Sequence, residues 1–505
     1  MADEGKAARR LDASFVWTRA EPPGKQEYAV FRRAFDLDQA PAEATLRIFA
    51  DVRYVLWING RYVERGPCRF DPKRPEYDIL HVTGHLQCGR NAIVVLVHYP
   101  GYVVIDEPVE KFPCQCARMM AHRPGFTAEL HWTPRGGSPL RLATDGSWRV
   151  STETWHLPSP PAYGSIFEVI DARRDTGDWT AVDFDDSSWK AAVPLDKGQW
   201  EPLHPRSIPL LREQEAGNLS VVDACPDTVQ VGPLNRLLPL ELSAGAKLVI
   251  DCGREMQAYS VLDFDATSGS RLEIDYAIRF FDTDRVPSLG REPKTRGQFN
   301  AYTARGGRQT YMTSDTYGCK YLVIRVLEGR IKLHDVRMVD RLYPFQRLGR
   351  FASNDKILDG IWAIGVRTVK LCSEDAHVDC ADSERAQWMA DGYRMGYPVS
   401  RVALAGPGRV VEPTDGSESA RGAGSPFFDP VPSSSTRGGT SSDSAGTSNV
   451  SLCVTKRKPS DVLAERAFLK IGRGNGASFD AADRLHLLAV RNHEYVLADI
   501  MLIAK

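Results

Sequence analysis

From about residue 27 to 345 the apolar residues of this chain recur with a period of two, and that spacing confines the segment to β-sheet. The stretch ATLRIFADVRYVLWINGRYVERG alternates apolar and polar residues around Asn59-Gly60. Such a dipeptide between alternating runs marks a two-residue hairpin, because a type I′ turn needs positive φ at both central positions. Strand-like runs continue at NAIVVLVHY, FTAELHW, AKLVIDCG, RLEIDYAIRF and KYLVIRVLE, with turn residues between them. Two β-sandwiches are expected, over 27–220 and 221–345, behind a short N-terminal lead over 1–26. The boundary falls after the proline-rich PLHPRSIPLLREQE.

The period then changes. In NDKILDGIWAIGVRTVKLC, Ile357, Ile361, Ile364 and Thr368 stand three or four residues apart, and Ser353 or Asn354 is available as an N-cap. A helical domain should therefore begin near residue 346 and run to about 405. Residues 406–478 are dominated by Ser, Gly, Thr and Pro; without apolar surface to offset ordering entropy, they are expected to be disordered. The last stretch, 479–505, regains apolar residues and reads as a possible helix.

The chemistry concentrates in HVDCADSERAQWMAD, residues 377–391. If a helix starts near Asp379, then Glu384, Trp388 and Asp391 share one face, with Asp379 at the N-terminal end where carboxylates are favoured. Such a cluster has two readings. Acidic residues in a first helical turn are ordinary capping chemistry, with Trp388 as core. Alternatively, carboxyls beside an indole are the parts needed for glycoside hydrolysis: one held protonated by burial, the others activating water or binding hydroxyls. Spacing alone does not separate these readings.

The wider neighbourhood resembles the entry to the catalytic domain of the bacterial α-L-rhamnosidases, glycoside hydrolase family seventy-eight. Gly349, Phe351, Ser353, Asp355, Leu358, Ile361 and Trp362 match that family's lead-in. Asp379, Cys380, Glu384, Arg385, Trp388 and Asp391 fall in register with its acidic motif. DARRDTGDWTAVDFDDSSWKAA and YVLWINGRYVERGPCRFDPKRPEYD are similar to recurring accessory segments of the same family.

The resemblance implies galactose-binding-like or jelly-roll β-sandwiches, followed by the first helices of an (α/α)6 six-hairpin barrel. It implies inverting removal of terminal α-L-rhamnose, with Glu384 as general acid and Asp379, Asp391, Trp388 and Arg385 as the substrate-binding set. The partner would be a rhamnose-containing glycoside or oligosaccharide, with no metal and no cofactor. The motif departs from the family pattern at Ala381, Ser383 and Ala390.

A barrel of twelve helices needs on the order of 300 residues at roughly 10–14 per helix plus loops, so the catalytic barrel is expected to be truncated here. After residue 405 the glutamates are Glu412, Glu418, Glu465 and Glu494, none in a context matching the family's general base, so weak activity is expected. The alternative is a non-catalytic carbohydrate-binding or structural β-sandwich protein. Trp57, Trp179 and Trp189 would then stack on sugar, although core packing explains them as well.

Other classes find little support. Lys plus Arg (64) balances Asp plus Glu (65), giving no field for nucleic acid or a membrane surface. No signal-like or membrane-length apolar run is evident, and the ten cysteines lack paired CxxC spacing, so reduced thiols in a cytoplasmic protein are expected. His377 beside Asp375 and Asp379 suits a polar network better than a metal.

Overall fold

The computed structural model describes residues 11–21, 26–70, 74–100, 123–159, 167–174, 177–196, 200, 202–226, 229–280, 298–346, 351–381 and 385, with the backbone of four short strands after residue 449. Its first β region contains β1 (Phe15–Trp17), β2 (Glu27–Leu37), β3 (Glu43–Asp51), β4 (Arg53–Ile58), β5 (Arg61–Gly66), β6 (Glu76–His81), β7 (Gly89–Tyr99) and β8 (Gly125–Thr133). Shorter strands follow: β9 (Leu140–Ala143), β10 (Arg149–Ser151), β11 (His156–Leu157), β12 (Val169–Asp171), β13 (Lys190–Ala191), β14 (Val193–Leu195), β15 (His204–Pro205) and β16 (Arg212–Glu215).

Two sheets, ordered β14-β1-β8-β3-β6-β15 and β13-β10-β2-β7-β4-β5, close on one core. Leu46, Ile48 and Leu130 from the first meet Phe31, Leu56 and Val95 from the second. These are the inward positions of the period-two pattern, which places alternate side chains on one face. The hairpin at Asn59-Gly60 forms as expected, with φ of 53° and 76° and Ile58 opposite Arg61.

The second β region adds β17 (Ser220–Cys225), β18 (Gly232–Pro233), β19 (Leu240–Ser243), β20 (Lys247–Ala266), β21 (Arg271–Ala277), β22 (Gln298–Thr303), β23 (Gly307–Met312), β24 (Tyr317–Glu328) and β25 (Arg330–Leu342). The twenty-residue β20 organises it. Its first part pairs with β17 and β24, and its second part with β23 and β25. The register shifts between Asp251 and Met256, where Gly253 has φ +75°. An irregularity of this kind bends a strand and lets it serve two directions of pairing.

Two expected boundaries move. β1 lies in the first sandwich, paired with β14 and β8, so the sandwich takes in residues before 27. The boundary at 220 is also too simple. β11 and β12 leave the first sandwich to extend the second sheet, where β12 runs parallel to β22, and β16 pairs with β25. Pairing between distant segments leaves no mark on local periodicity, which is why the sequence did not disclose it.

Beyond the sheets, a 16-residue helix spans Lys356–Leu371 as the period change predicts. Its cap is Asp355 rather than Ser353 or Asn354: Asp355 Oδ1 accepts the Ile357 amide at 2.8 Å. Ser353 instead receives the Asp355 amide on its hydroxyl. The apolar stripe is not buried along its length, since Ile357 is 71% and Ile364 57% exposed.

Within the segment read as disordered, Val450–Leu452 pairs with Ala467–Leu469; the rest of 406–478 lies outside the described residues. The terminal stretch corrects the helix expectation: Arg484–Arg491 and Glu494–Met501 form an antiparallel pair, Arg491 opposite Glu494. Two runs rich in β-branched and large apolar residues, separated by Asn492-His493, satisfy a hairpin better than one amphipathic helix. Among the described residues no helix is long and apolar enough to cross a membrane.

Candidate active site

The acidic motif begins immediately after the helix. Val378 donates its amide to Cys372 O (2.9 Å) and Tyr343 donates to Ser373 O (3.1 Å), folding residues 372–378 back against the end of β25. Asp379 is half-buried, with Cys380 Sγ 3.2 Å from its Oδ2. His377 Nδ1 lies 3.2 Å from Ser373 Oγ, and burial lowers its imidazole pKa, favouring the neutral ring. Among the described residues no group of three His, Cys, Asp or Glu is placed to hold a metal.

Arg385 is the residue that orders this segment. Its side chain is fully buried. Nη2 and Nε donate to the two Glu374 carboxylate oxygens at 2.7 and 3.2 Å. Nη1 donates to Thr316 O at 2.6 Å, and Nη2 also reaches Thr316 Oγ1 at 2.8 Å. With its amide turned to suit its neighbours, Gln257 donates to Ala381 O at 2.8 Å and accepts from Arg385 Nη2 at 2.7 Å. A bidentate carboxylate pair of this kind is both strong and geometrically exacting. The expected sugar contact by Arg385 is therefore replaced by an internal one, because its guanidinium is engaged by protein groups.

A second arginine holds the same segment from the first sandwich. Arg69 follows β5, and its backbone amide donates to Asp375 Oδ2 at 2.9 Å. Its Nε lies 2.8 Å from Asp375 Oδ1, and its Nη1 donates to Arg385 O at 2.9 Å. Residues over 300 positions apart are thus brought together by the β framework.

The backbone also departs from the helix expectation. Asp379, Cys380, Ala381 and Arg385 are not helical, and Arg385 has φ 50°. A left-handed residue does not sit inside a right-handed helix without steric conflict, so Arg385 itself is not part of one. Glu384, Trp388 and Asp391 themselves lie outside the described residues.

Beside the segment is a cavity of about 240 Å³, lined in part by Arg53, Arg65, Arg69, Asp315, Glu374 and Asp375. Its charges are largely matched within the protein: Arg53 stands 2.6 Å from Asp315, and Arg69 2.8 Å from Asp375. The sequence reading did not single out Glu374, Thr316 or Arg69. A signal existed for Arg69, since it falls inside the accessory segment YVLWINGRYVERGPCRFDPKRPEYD.

The tryptophans proposed for sugar stacking pack together instead. Trp179 is 4% exposed and meets Trp57 edge-on at 5.3 Å and Trp155 at 5.1 Å. Trp57 and Trp189 are partly buried against the same cluster.

Residues 39–214 match the family model described as the alpha-L-rhamnosidase N-terminal domain. An α-L-rhamnosidase of Formosa agariphila is 21% identical over 378 residues, covering 72% of this chain and 37% of that protein. The crystal structure of the GH78 family rhamnosidase of Bacillus sp. GL1 superposes with TM-score 0.62 at 20% identity, covering 77% of this chain and 61% of that one. The Streptomyces avermitilis α-L-rhamnosidase, solved in complex with L-rhamnose, gives TM-score 0.52 at 19% identity, covering 71% of this chain and 33% of that one. These structural likenesses establish the fold. The chain spans a little over a third of the Formosa relative's length. Over residues 39–214 the chain is similar to the alpha-L-rhamnosidase N-terminal domain, and its fold is similar to that of the solved rhamnosidases.

Proposed function

We propose that this chain is an α-L-rhamnosidase-type glycoside hydrolase, acting by inversion on terminal α-L-rhamnose of a glycoside or oligosaccharide. The observation that carries the reading is the register of Asp379, Glu384 and Asp391 in a segment that follows the helix and is anchored on the β framework by Arg385. In this reading Glu384 protonates the leaving oxygen, Asp379 and Asp391 accept hydrogen bonds from sugar hydroxyls, and Trp388 contributes an apolar wall. Arg385 serves by holding the loop. An inverting reaction also needs a carboxylate base on the opposite face of the sugar. No residue is assigned to that role: Glu412, Glu418 and Glu465 lie outside the described residues, and Glu494 begins a strand. A cytoplasmic setting belongs to the same proposal, supported by the seven described cysteines, all free thiols.

The alternative, a purely carbohydrate-binding sandwich, loses its proposed stacking surface because Trp57, Trp179 and Trp189 pack on one another or on a shared cluster. The test is release of aryl aglycone from an aryl α-L-rhamnoside by the purified chain. Glu384→Gln should reduce turnover by about 100-fold or more, the usual worth of a positioned general acid. A folded chain without turnover, or a Glu384→Gln variant as active as its parent, would overturn the assignment.

A further inference from the structure

We propose that Gln257, on the long strand β20 of the second β region, is a positioning residue for Asp379; the inference rests on the role given to Asp379 under the proposed function and deepens it. Side chains along a strand alternate between two faces. Met256 and Ala258 belong to the apolar core of that region, so Gln257 between them faces the other way. It is nevertheless fully buried, under the loop that carries Asp379. A carboxamide offers donor and acceptor on one planar group, and here both are used. Nε2 donates to Ala381 O at 2.8 Å, while Oε1 accepts from Arg385 Nη2 at 2.7 Å and from Thr316 Oγ1 at 3.1 Å.

These bonds bear on Asp379 because they fix the chain just beyond it. Just before it, the Val378 amide donates to Cys372 O at 2.9 Å. Cys372 Sγ lies 3.8 Å from the Asp379 carbonyl oxygen, and Cys380 Sγ lies 3.2 Å from Asp379 Oδ2. Val378, Cys380 and Ala381 are buried, whereas Asp379 is only half-buried. The turn thus hides its neighbours and presents one carboxylate. Residues 379–381 belong to no helix or strand, so side-chain bonds take the place of a backbone ladder. A buried carbonyl is costly to leave without a donor, so loss of the Gln257 bond shifts the turn until Ala381 regains a partner. Hydrogen bonds to sugar hydroxyls weaken steeply off their preferred distance and angle, and a small shift of Asp379 is felt as lost affinity. The second β region thereby supplies part of the geometry of the sugar site.

The test variant is Gln257→Glu, which keeps the shape and the acceptor; beside Arg385 the new carboxylate is ionised and has no proton for Ala381 O. Carbodiimide labelling of carboxyls, read by mass spectrometry, follows Asp379 in the folded chain without requiring sugar. Asp375, which Arg69 pins earlier in the loop, and the exposed Glu43 serve as references. Gln257→Glu should change the Asp379 labelling rate by about threefold or more, as the turn loses roughly one hydrogen bond's worth of local stability. Asp375 and Glu43 should stay at the parental rate, with thermal unfolding as the check on folding. An unchanged Asp379 rate overturns the proposal. So does a matching change at Asp375, which means a general loosening of the loop. Should Gln257→Glu fail to fold, Gln257→Met, which keeps the length but neither donor nor acceptor, carries the same expectation and the same refutation. Calorimetric titration with L-rhamnose, run in parallel, separates this inference from the function it rests on. Binding by the parent that weakens by about fivefold or more in the variant supports both. A parent that binds no L-rhamnose, with Asp379 labelling changed as described, refutes the sugar-binding reading and leaves the positioning intact. Equal binding by parent and variant overturns the positioning and leaves that reading standing.

Discussion

Asp51 shows how far a single side chain is governed by what surrounds it. At the end of β3 it is 6% exposed, and Trp200 Nε1 donates to its Oδ2 at 3.0 Å. Burial raises its pKa from 3.8 to about 7, with the tryptophan hydrogen bond opposing part of the rise. The raised value means that the unfolded chain ionises first as pH increases. Folding stability is therefore lost between about pH 4 and 7 and is level above that range. Buried His156 acts in the opposite direction: desolvation lowers it to about 3, so it costs stability as pH falls below the ordinary histidine range. The two are separated by a variant difference. Asp51→Asn keeps an acceptor for Trp200, and its melting temperature relative to the parent should rise steadily from pH 4 to 7.5 and then flatten. A pH-independent difference in scanning calorimetry would show that Asp51 is not perturbed.

Among the elements, the segment around Asp178–Trp189 depends on one buried cation. Arg32 on β2 is fully buried; it donates to Asp186 at 2.6 Å and to the carbonyls of Ala181 and Val182 at 2.8 and 2.9 Å. Its guanidinium also lies 5.6 Å from the Phe184 ring centroid. A chain of tight turns leaves carbonyls without partners, and one guanidinium with several planar donors satisfies three acceptors at once. Arg32→Met should strand those acceptors and the carboxylate, costing about 3 kcal/mol, read as a lower urea midpoint with unchanged slope. A midpoint within error of the parent would mean that water replaces the arginine. The sequence showed the aromatic and acidic pattern of this segment but not its partner, because Arg32 reads as a polar residue on an alternating strand.

At the scale of the whole β framework, the two regions are joined through a cluster of charged and aromatic side chains. Arg341 on β25 donates to Glu64 Oε1 at 2.9 Å and to Glu213 Oε1 at 3.2 Å. Glu213 in turn accepts from Tyr62 and Tyr259. Arg65 lies 3.7 Å over the Tyr259 ring and donates to Thr313 O at 2.9 Å. Such buried networks couple the parts they connect, since removing one member leaves the others unpaired. The two β regions should therefore unfold together. Arg341→Met should lower the transition and split it in two by calorimetry, while a single transition at the parental temperature would show that strand exchange through β11, β12 and β16 suffices.

The sequence by itself determined the strands of the β regions, the Asn59-Gly60 hairpin and the helix Lys356–Leu371, because the faces of those elements are written in apolar spacing at periods of 2 and 3.6. It also carried the resemblance to the rhamnosidases, whose N-terminal family model matches residues 39–214. Tertiary structure decided the rest. β11 and β12 cross to the second sheet, Glu494–Met501 pairs as a strand, and Arg385 turns left-handed against Thr316 and Arg69. The reason is physical: a period records which face of an element is buried, whereas a partner hundreds of residues away is chosen by the fold that brings it near.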